Sequence, residues 1–324
     1  MADRNNRWAL VLAAGDGRRL HSLTRTASGT IVPKQFCSLD GGKSLLEETV
    51  LRAEAVVPRE RVCAVVAAGH RGHWSRQLAS LPQANVIAQP HNRGTAIGIL
   101  LPLLHIMQRD PRARILLLPS DHHVCNEARL SASLRAALWP EGPAAAAEVV
   151  LLGIEPRQAD PELGYIVPDR NERAGPRAVE RFVEKPSAAE AAELIRQGAL
   201  WNTFIIVADA CALLGLFERR YPNIIARMRS LIGSCAREAS PSDGLAELYE
   251  ELPDLDFSRS ILQGQERYLR VVAVPDCGWS DLGTPARVAA ALSDLPCPQR
   301  RADRRGTLVN LAAQHELLHS EIRA

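Results

Sequence analysis

The alternation of short apolar runs with segments of helical spacing restricts the fold of this chain more than any other feature. Each run ends in Gly, Pro or Asp, and the runs are residues 8–15, 61–69, 84–90, 114–121, 148–156 and 267–276. Runs of about five to seven apolar residues are typical of strands buried on both faces. Segments between them, such as 44–56 and 94–110, repeat apolar residues at the helical period. The alternation predicts an α/β fold with a mostly parallel central sheet flanked by helices.

The length of 324 residues is enough for one large domain or for two. No internal repeat is evident, and we expect one large domain over residues 1–295. The segment beyond it contains PCPQRRADRRG, which is typical of a basic linker, and then a short amphipathic stretch. Residues 296–324 are therefore predicted to form a linker and a short C-terminal tail.

The charge balance and the cysteine content indicate the class of partner and the compartment. With 39 basic and 37 acidic residues the formal net charge is +2, which gives no reason to expect nucleic-acid binding. Seven scattered cysteines without a CxxC pair favour reduced thiols over a disulfide framework. The apolar run Trp8–Ala14 is too short to span a membrane. We therefore expect a cytoplasmic protein without nucleic-acid or membrane partners.

A glycine-rich turn follows the first apolar run. Gly15 and Gly17 leave room for backbone N–H groups to approach a phosphate. A dinucleotide fingerprint would need a third glycine at position 20, which is Leu20. The Gly-Lys-Ser/Thr ending of a Walker loop is also absent. A plain turn between a strand and a helix is the alternative.

Basic residues cluster around this turn, although the whole chain is nearly neutral. They are Arg18, Arg19, Arg25 and Lys34. Guanidinium and ammonium groups beside exposed backbone donors form a site for a polyphosphate. The cluster therefore favours a phosphate site over the plain turn.

Two aspartates later in the chain are candidates for a metal site. Asp121 comes just after the carboxyl end of a predicted buried strand. Ligands of open parallel sheets bind at such ends, and a carboxylate there can hold Mg²⁺ beside substrate phosphates. A helix N-cap is the alternative for Asp121. Asp281 lies in the turn GWSDLG, where an aspartate is common without any metal.

Three further motifs carry groups that suit a phosphorylated, hydroxyl-rich ligand. They are GYIVP (164–168), VEKP (183–186) and WNTFI (201–205). Glu184 can accept hydrogen bonds from hydroxyls, Lys185 can neutralise a phosphate, and Asn202 can both donate and accept. A surface ion pair before a helix is the alternative for E-K-P.

The pattern L-A-A-G-x-G-x-R-L, followed by P-K-Q-F, resembles the signature of the sugar-1-phosphate nucleotidyltransferases. The P-K-Q-F ending is most similar to that of the mannose-1-phosphate guanylyltransferases. The downstream motifs P-S-D-H, G-Y-I, E-K-P, W-N and W-S-D-x-G also match that family in order and approximate spacing. The resemblance implies a Rossmann-like fold of the nucleotide-diphospho-sugar transferase type, with residues 1–295 as the catalytic domain. It also implies transfer of a nucleotidyl group, with GTP and mannose 1-phosphate as the expected substrates.

The resemblance implies a role for each matching position. The nucleotide would be bound by Ala13, Ala14, Gly15, Gly17, Arg19, Lys34, Gln35, Arg93 and Thr95. The sugar phosphate would be bound by Gly164, Tyr165, Glu184, Lys185 and Asn202. Mg²⁺ is the implied cofactor, with Asp121 and Asp281 as its ligands. The implied catalytic residues are Arg19, Lys34, Asp121 and Lys185. The expected partners are a nucleoside triphosphate and a sugar 1-phosphate. A second copy of the chain, in a homodimer, is a further partner that the resemblance allows.

The segment 88–99 departs from the family pattern E-P-x-x-R-N-T-A-P-A. Arg93, Thr95 and Ala96 match the pattern, whereas four positions differ, namely Gln89, Gly94, Ile97 and Gly98. In the family this segment lies near the base and the sugar, so the departures leave both identities open. The alternatives are another base, a heptose or glucose phosphate, or a non-catalytic nucleotide-sugar sensor. The presence of both aspartates, Arg19 and the two candidate lysines argues against the sensor.

Overall fold

The computed structural model describes residues 6–26, 29–139, 149–172, 175–235, 242–294 and 311. The linker and tail predicted over 296–324 lie outside the described residues, apart from Leu311. The side chain of Arg18 also lies outside them. The single domain expected over 1–295 stays a prediction.

Strands and helices alternate along the first half of the chain, as the apolar pattern predicts. The strands are β1 Arg7–Ala13, β2 Val62–Ala67, β3 Val86–Gln89, β4 Arg114–Pro119, β5 His123–Val124, β6 Val149–Ile154, β7 Gly164–Pro168, β8 Arg177–Glu184, β9 Leu200–Asp209, β10 Leu269–Val274 and β11 Trp279–Ser280. The helices are α1 Leu45–Glu54, α2 Arg71–Gln77, α3 Gly94–Arg109, α4 Glu127–Leu138, α5 Ala188–Arg196, α6 Ala210–Glu218, α7 Pro222–Cys235, α8 Ser242–Glu251 and α9 Pro285–Ser293. The helices predicted within 44–56 and 94–110 are confirmed as α1 and α3.

Nine strands from the described part of the chain form the central sheet, in the order β3-β2-β1-β4-β9-β6-β10-β8-β7. The pairs β1–β2, β2–β3, β1–β4 and β6–β10 are parallel. The pairs that involve β8 or β9 are antiparallel. The sheet is thus mixed, and our prediction of a mostly parallel sheet needs correction. The difference arises because β8 and β9 run antiparallel to the strands β4, β6 and β10 beside them. In addition, β7 pairs with β9, which closes the strands β9, β6, β10, β8 and β7 into a ring.

The sheet separates two hydrophobic cores, and β1 shows how one strand serves both. Trp8 and Leu10 point into the core that contains much of α3 and α6. Ala9 and Val11 point into the opposite core with α1 and α4. Successive side chains of a strand face opposite sides, so an uninterrupted apolar run is what a strand between two helical layers requires. A smaller cluster packs α5 against β7 and the start of β9.

Two further findings concern membrane-spanning helices and cysteines. Within the described ranges, no helix is both long enough and apolar enough to cross a membrane. The cysteines whose side chains the structure describes are thiols without a disulfide partner, namely Cys37, Cys63, Cys125, Cys211 and Cys277.

Candidate active site

The glycine-rich turn leaves the carboxyl end of β1 and is supported by the P-K-Q segment. Gly17 has φ +64°, and a Cβ there would lie 2.9 Å from the backbone nitrogen of Lys34. Glycine alone fits this close approach in the left-handed region without strain. The Nε2 of Gln35 donates hydrogen bonds to the carbonyl oxygens of Ala13 at 3.2 Å and Gly15 at 2.7 Å. The P-K-Q segment therefore fixes the backbone of the turn.

The turn forms part of the wall of a cavity of about 740 Å³, a volume in the range of small-molecule sites. Most residues predicted for the site line this cavity, namely Ala14, Gly15, Gly17, Arg19, Gln35, Thr95, Asp121, Gly164, Glu184, Lys185, Asn202 and Asp281. Four predicted residues are not among its described lining residues, namely Ala13, Lys34, Arg93 and Tyr165. The structure thus brings together residues from both halves of the predicted site, although not all of them.

Lys34 lies behind the cavity wall and contacts both candidate metal aspartates. Its Nζ lies 2.9 Å from Oδ2 of Asp121 and donates to the backbone carbonyl oxygen of Asp281 at 2.6 Å. The Lys34 side chain is 6% exposed, whereas that of Asp121 is 40% exposed. Burial opposes ionisation of Asp121, but the charges of Lys34 and His122 and two hydrogen bonds outweigh it and lower the pKa of Asp121 to about 2. Asp121 is therefore an anion at neutral pH.

Arg287, which the sequence analysis did not single out, holds the carboxylate of Asp281. The Arg287 Nε lies 2.9 Å from Oδ1 of Asp281, in an ion pair whose N–H is not aligned for a hydrogen bond. The Nη1 of the same guanidinium lies 2.5 Å from Oδ2 of Asp160. The backbone N–H of Gly283 donates to Oδ1 of Asp281 at 3.2 Å. Asp281 is thus fixed by its own turn and by the first turn of α9.

Arg19 reaches across the cavity mouth to a second residue that sequence reasoning missed. Its Nη1 lies 3.1 Å from Oε2 of Glu162, and both side chains are about half exposed. Both residues line the cavity. Because an exposed ion pair is worth only about 0–1 kcal/mol, a phosphate can replace Glu162 on Arg19 at little cost.

The residues predicted for the sugar phosphate lie on three neighbouring strands, except Lys185, which directly follows β8. Gly164 opens β7 opposite Glu184 at the end of β8. A Cβ at Gly164 would lie 2.6 Å from Oε2 of Glu184 and 3.3 Å from Cβ of Asn202. Burial and the charge of Asp256 raise the pKa of Glu184, against the opposing effects of Lys185, a Ser258 hydrogen bond and Arg259. The absence of a side chain at Gly164 thus creates the space that the Glu184 carboxyl occupies.

Tyr165 is placed differently from the expectation. Its side chain is completely buried and belongs to the cluster around α5. The hydroxyl accepts from the backbone N–H of Asp160 at 2.8 Å and donates to the carbonyl oxygen of the same residue at 3.0 Å. Tyr165 therefore supports the loop before β7 rather than lining the cavity.

Three residues other than glycine adopt left-handed backbone angles in the described part of the chain, and all lie at this site. They are Lys185 with φ +52°, Phe204 with φ +59° and Leu282 with φ +48°. Lys185 and Phe204 line the cavity, and Leu282 directly follows Asp281. Such angles cost of order 1–3 kcal/mol each and are concentrated at functional sites. This clustering is an independent indication that the cavity is the functional site.

The segment that departs from the family pattern packs against residues 254–257. Gly94 has φ +78°, and a Cβ there would lie 2.3 Å from the carbonyl oxygen of Leu255. Thr95 accepts a hydrogen bond from the backbone N–H of Phe257 at 2.8 Å. Arg93 turns away and donates to the carbonyl oxygens of Tyr249 and Glu250. Arg93 therefore holds the end of α8, and it is not among the described residues that line the cavity.

The carboxylates at the cavity wall suit Mg²⁺ in their chemistry. In the described part of the chain, no group of three or more His, Cys, Asp or Glu side chains is arranged to hold a metal ion. Mg²⁺, however, is commonly bound through one or two carboxylates, with substrate phosphates and water as its other ligands. Asp121 and Asp281 both line the cavity, and one ammonium group, that of Lys34, touches both residues. The oxygen donors therefore fit a magnesium ion that is shared with a phosphate.

Curated relatives with established names cover most of this chain. The chain is 31% identical over 283 residues to the xanthan biosynthesis protein XanB of Xanthomonas campestris pv. campestris (strain B100), with 85% of this chain and 57% of that protein aligned. It is 28% identical over 291 residues to mannose-1-phosphate guanylyltransferase 2 of Escherichia coli O157:H7, with 85% of this chain and 58% of that protein aligned. The chain thus spans somewhat more than half of the length of these relatives.

Solved structures and a family model agree with these relatives. A Thermus thermophilus protein, described as a mannose-1-phosphate geranyltransferase, superposes with a TM-score of 0.72 at 30% identity, over 90% of this chain and 80% of that one. The inositol-1-phosphate CTP transferase of T. maritima, at 17% identity and a TM-score of 0.54, shares the fold over 90% of this chain and 98% of that one. The model of the nucleotidyl transferase family matches residues 8–296. Since this match extends over most of the chain, the chain belongs to the nucleotidyl transferase family.

Proposed function

We propose that the chain is an enzyme that condenses a nucleoside triphosphate with a hexose 1-phosphate and releases pyrophosphate. GTP and mannose 1-phosphate are the substrates that we propose first, since a relative is named a mannose-1-phosphate guanylyltransferase. The products would be a nucleotide-sugar, here GDP-mannose, and pyrophosphate. This assignment would also place the protein in nucleotide-sugar biosynthesis.

One observation carries the proposal. A single cavity is lined by the glycine turn and Asp121 and also by Glu184, Lys185 and Asn202. Because β9 runs antiparallel to β4, its first residues lie beside the carboxyl end of β4, which Asp121 follows. A phosphate-binding turn, a carboxylate and groups suited to sugar hydroxyls in one cavity are what the joining of two phosphorylated substrates requires.

In the proposed reaction, an oxygen of the sugar phosphate attacks the α-phosphorus of the triphosphate, and the bond to the pyrophosphate oxygen breaks in line. The attacking oxygen is already ionised near pH 7, so no side chain needs to remove a proton. Catalysis then rests on positioning and on charge neutralisation. Arg19 and the backbone of the glycine turn bind the triphosphate, and Lys185 binds the sugar phosphate. Asp121 and Asp281 are the residues that would hold Mg²⁺, which supplies positive charge to phosphate oxygens when bound.

Lys34 receives a modified role in this proposal. Its ammonium group is buried and already contacts Asp121 and the carbonyl oxygen of Asp281. We therefore assign Lys34 to the orientation of these two residues, with its charge acting on the triphosphate through the cavity wall. Glu184, whose pKa is raised by burial and by the charge of Asp256, would exchange hydrogen bonds with sugar hydroxyls.

The experiment is a measurement of pyrophosphate release from GTP, Mg²⁺ and mannose 1-phosphate, with each component omitted in turn. We expect pyrophosphate, together with one nucleotide-sugar identified by mass spectrometry, only in the complete mixture. A nucleotide-sugar sensor would bind the product without releasing pyrophosphate.

Another base is the alternative that a specific observation favours. Gln89 stands where the family pattern has Glu, is 1% exposed, and contributes to the cavity wall. Gly98 lies beside it, since a Cβ at Gly98 would be 3.7 Å from its Oε1. An amide offers two N–H donors and one acceptor oxygen, whereas a carboxylate only accepts. Replacing GTP with ATP, UTP or CTP in the same assay tests this alternative.

A further inference from the structure

Arg287 binds two carboxylates that come from segments far apart in the sequence. One is Asp281, in the turn before α9, and the other is Asp160, in the loop before β7. All three side chains are largely buried, with exposed fractions of 16% for Arg287, 12% for Asp281 and 15% for Asp160. A guanidinium suits this position because its planar fork can reach two carboxylates at once, which a lysine ammonium cannot do equally well.

The contacts of Asp281 are divided unequally between its two oxygens. Oδ1 lies near the Arg287 Nε and accepts a hydrogen bond from Gly283. Oδ2 accepts no hydrogen bond from any residue that the structure describes. A Cβ at Gly283 would lie 2.4 Å from this Oδ2 and 2.6 Å from the Arg287 Nη2. The turn therefore fixes the carboxylate through one oxygen and keeps the other available.

The Asp160 contact extends the same arrangement to the loop before β7. The Oδ1 of Asp160 accepts from the backbone N–H of Glu162 at 2.9 Å, and Glu162 in turn pairs with Arg19. The backbone of Asp160 holds the hydroxyl of Tyr165 at the start of β7. Arg287 thus links the aspartate turn to the loop that carries Glu162.

We propose that Arg287 is a positioning residue, which fixes Asp281 as a metal ligand and couples it to the loop 155–163. Arg287 is not among the described residues that line the cavity, so it acts through Asp281 and Asp160 rather than on a substrate. The inference rests on the proposed function, because it assumes that Asp281 binds the metal. Residues that orient metal ligands typically contribute about 10- to 100-fold to metal affinity.

The test measures Mn²⁺ binding to the full chain in the presence of pyrophosphate, using the EPR signal of unbound Mn²⁺. This probe depends on neither the base nor the sugar. The variants are Arg287→Met, Arg287→Lys and Asp281→Asn. The control is Arg229→Met, which removes an exposed arginine paired with Glu218 on the helical surface. Thermal unfolding is followed in parallel.

We expect Arg287→Met to weaken Mn²⁺ binding by about 10-fold or more, Arg287→Lys to weaken it less, and the control to leave it unchanged. Wild-type Mn²⁺ affinity in Arg287→Met, with a loss in Asp281→Asn, would overturn the inference even if the melting temperature falls. Wild-type affinity in both variants would instead overturn the metal role of Asp281. If Arg287→Met does not fold, the Mn²⁺ affinity of Arg287→Lys is used instead, because this variant keeps the charge but cannot reach both carboxylates. Wild-type Mn²⁺ affinity in Arg287→Lys, with a loss in Asp281→Asn, would then overturn the inference.

Discussion

The ammonium nitrogen of Lys34 lies 2.9 Å from Oδ2 of Asp121, which joins the P-K-Q motif to the P-S-D-H motif. The same nitrogen donates to the backbone carbonyl oxygen of Asp281 at 2.6 Å. A single buried lysine therefore connects three motifs that are far apart in the sequence. Both basic residues predicted for the triphosphate are paired with carboxylates, Lys34 with Asp121 and Arg19 with Glu162.

Glu162→Gln should strengthen binding of the triphosphate. Removing the carboxylate makes Arg19 available to phosphate oxygens, and the gain should be about two- to fivefold in Kd, because exposed ion pairs are weak. Isothermal titration with the Mg²⁺–triphosphate complex measures the change. Glu193→Gln, which removes a surface pair with Arg196 on α5, is the matched control and should have no effect. Weaker triphosphate binding in Glu162→Gln would show that Glu162 itself supports the bound substrate.

Lys185→Ala should impair use of the sugar phosphate while leaving triphosphate binding nearly unchanged. The chain has only three lysines, Lys34, Lys43 and Lys185, among its 39 basic residues. Lys185 lines the cavity, and in the described part of the chain no ion pair occupies its ammonium group. Loss of this charge should raise the KM for the sugar phosphate by about 10-fold or more. The exposed Lys43→Ala is the control, and equal loss of binding for both substrates would contradict the division of the cavity.

Gly164→Ala should also affect the sugar phosphate selectively. The new methyl group would lie 2.6 Å from Oε2 of Glu184 and 3.3 Å from Cβ of Asn202, so both side chains must move. We expect the KM for the sugar phosphate to rise by about 10-fold, since displacements of about 1 Å at a site are costly. Gly72→Ala, where a Cβ would meet no atom within 4 Å, is the control. Unchanged kinetics in Gly164→Ala would mean that Glu184 does not contact the sugar.

Glu48→Gln should stabilise the fold at alkaline pH and leave it unchanged in acid. Burial raises the pKa of Glu48 to about 7 from 4.5, although the charge of Arg52 opposes the shift. The folded state therefore binds an additional proton between these pH values, and the free energy of unfolding falls as the pH rises through this range. At pH 8 the substitution should add about 2–3 kcal/mol to the free energy of unfolding, measured in urea.

The control for this prediction is the exposed Glu60→Gln, which should change the free energy of unfolding by less than about 0.5 kcal/mol at either pH. An equal effect of Glu48→Gln at pH 4.5 and pH 8 would mean that ionisation of Glu48 is not the cause.

The positions of the strands could be predicted, but not all of their directions. Apolar runs such as 114–121 mark strands between two helical layers, because both faces of each strand are buried. The direction of β9 leaves no trace in such a run, since hydrogen bonding in the ladder does not depend on the side chains. For this reason the sequence of 201–205 predicted a binding motif, but not that the segment belongs to the antiparallel strand β9. The pairing of β7 with β9, which closes the ring, also leaves no trace in the pattern of side chains.

A shared position at the cavity could be predicted for residues whose short motif carries its own geometry. The glycine turn and the residues Glu184 and Asn202 fall into this class, and they line one cavity. Arg287, Asp160 and Glu162 were missed because each acts through an ion pair with a residue distant in the chain. The acidic segment D-P-E, one residue before G-Y-I, was a local signal for Asp160 and Glu162. Arg93 was assigned by its motif, and the structure directs it to the end of α8 instead.

A substitution at Asp121 tests most directly whether the chain condenses a nucleoside triphosphate with a sugar 1-phosphate in a metal-dependent reaction. Asp121→Asn keeps the size of the side chain but removes the charge that Lys34 and the proposed metal require. Pyrophosphate release should be measured for the wild type and the variant with ATP, GTP, CTP and UTP, each combined with the 1-phosphates of mannose, glucose and a heptose.

We expect the wild type to release pyrophosphate with at least one pair, and only when Mg²⁺ is present. We expect Asp121→Asn to do so about 10²–10³-fold more slowly at an unchanged triphosphate Kd. The proposed function would be contradicted if the wild type released no pyrophosphate with any pair, or if Asp121→Asn retained the full Mg²⁺-dependent rate.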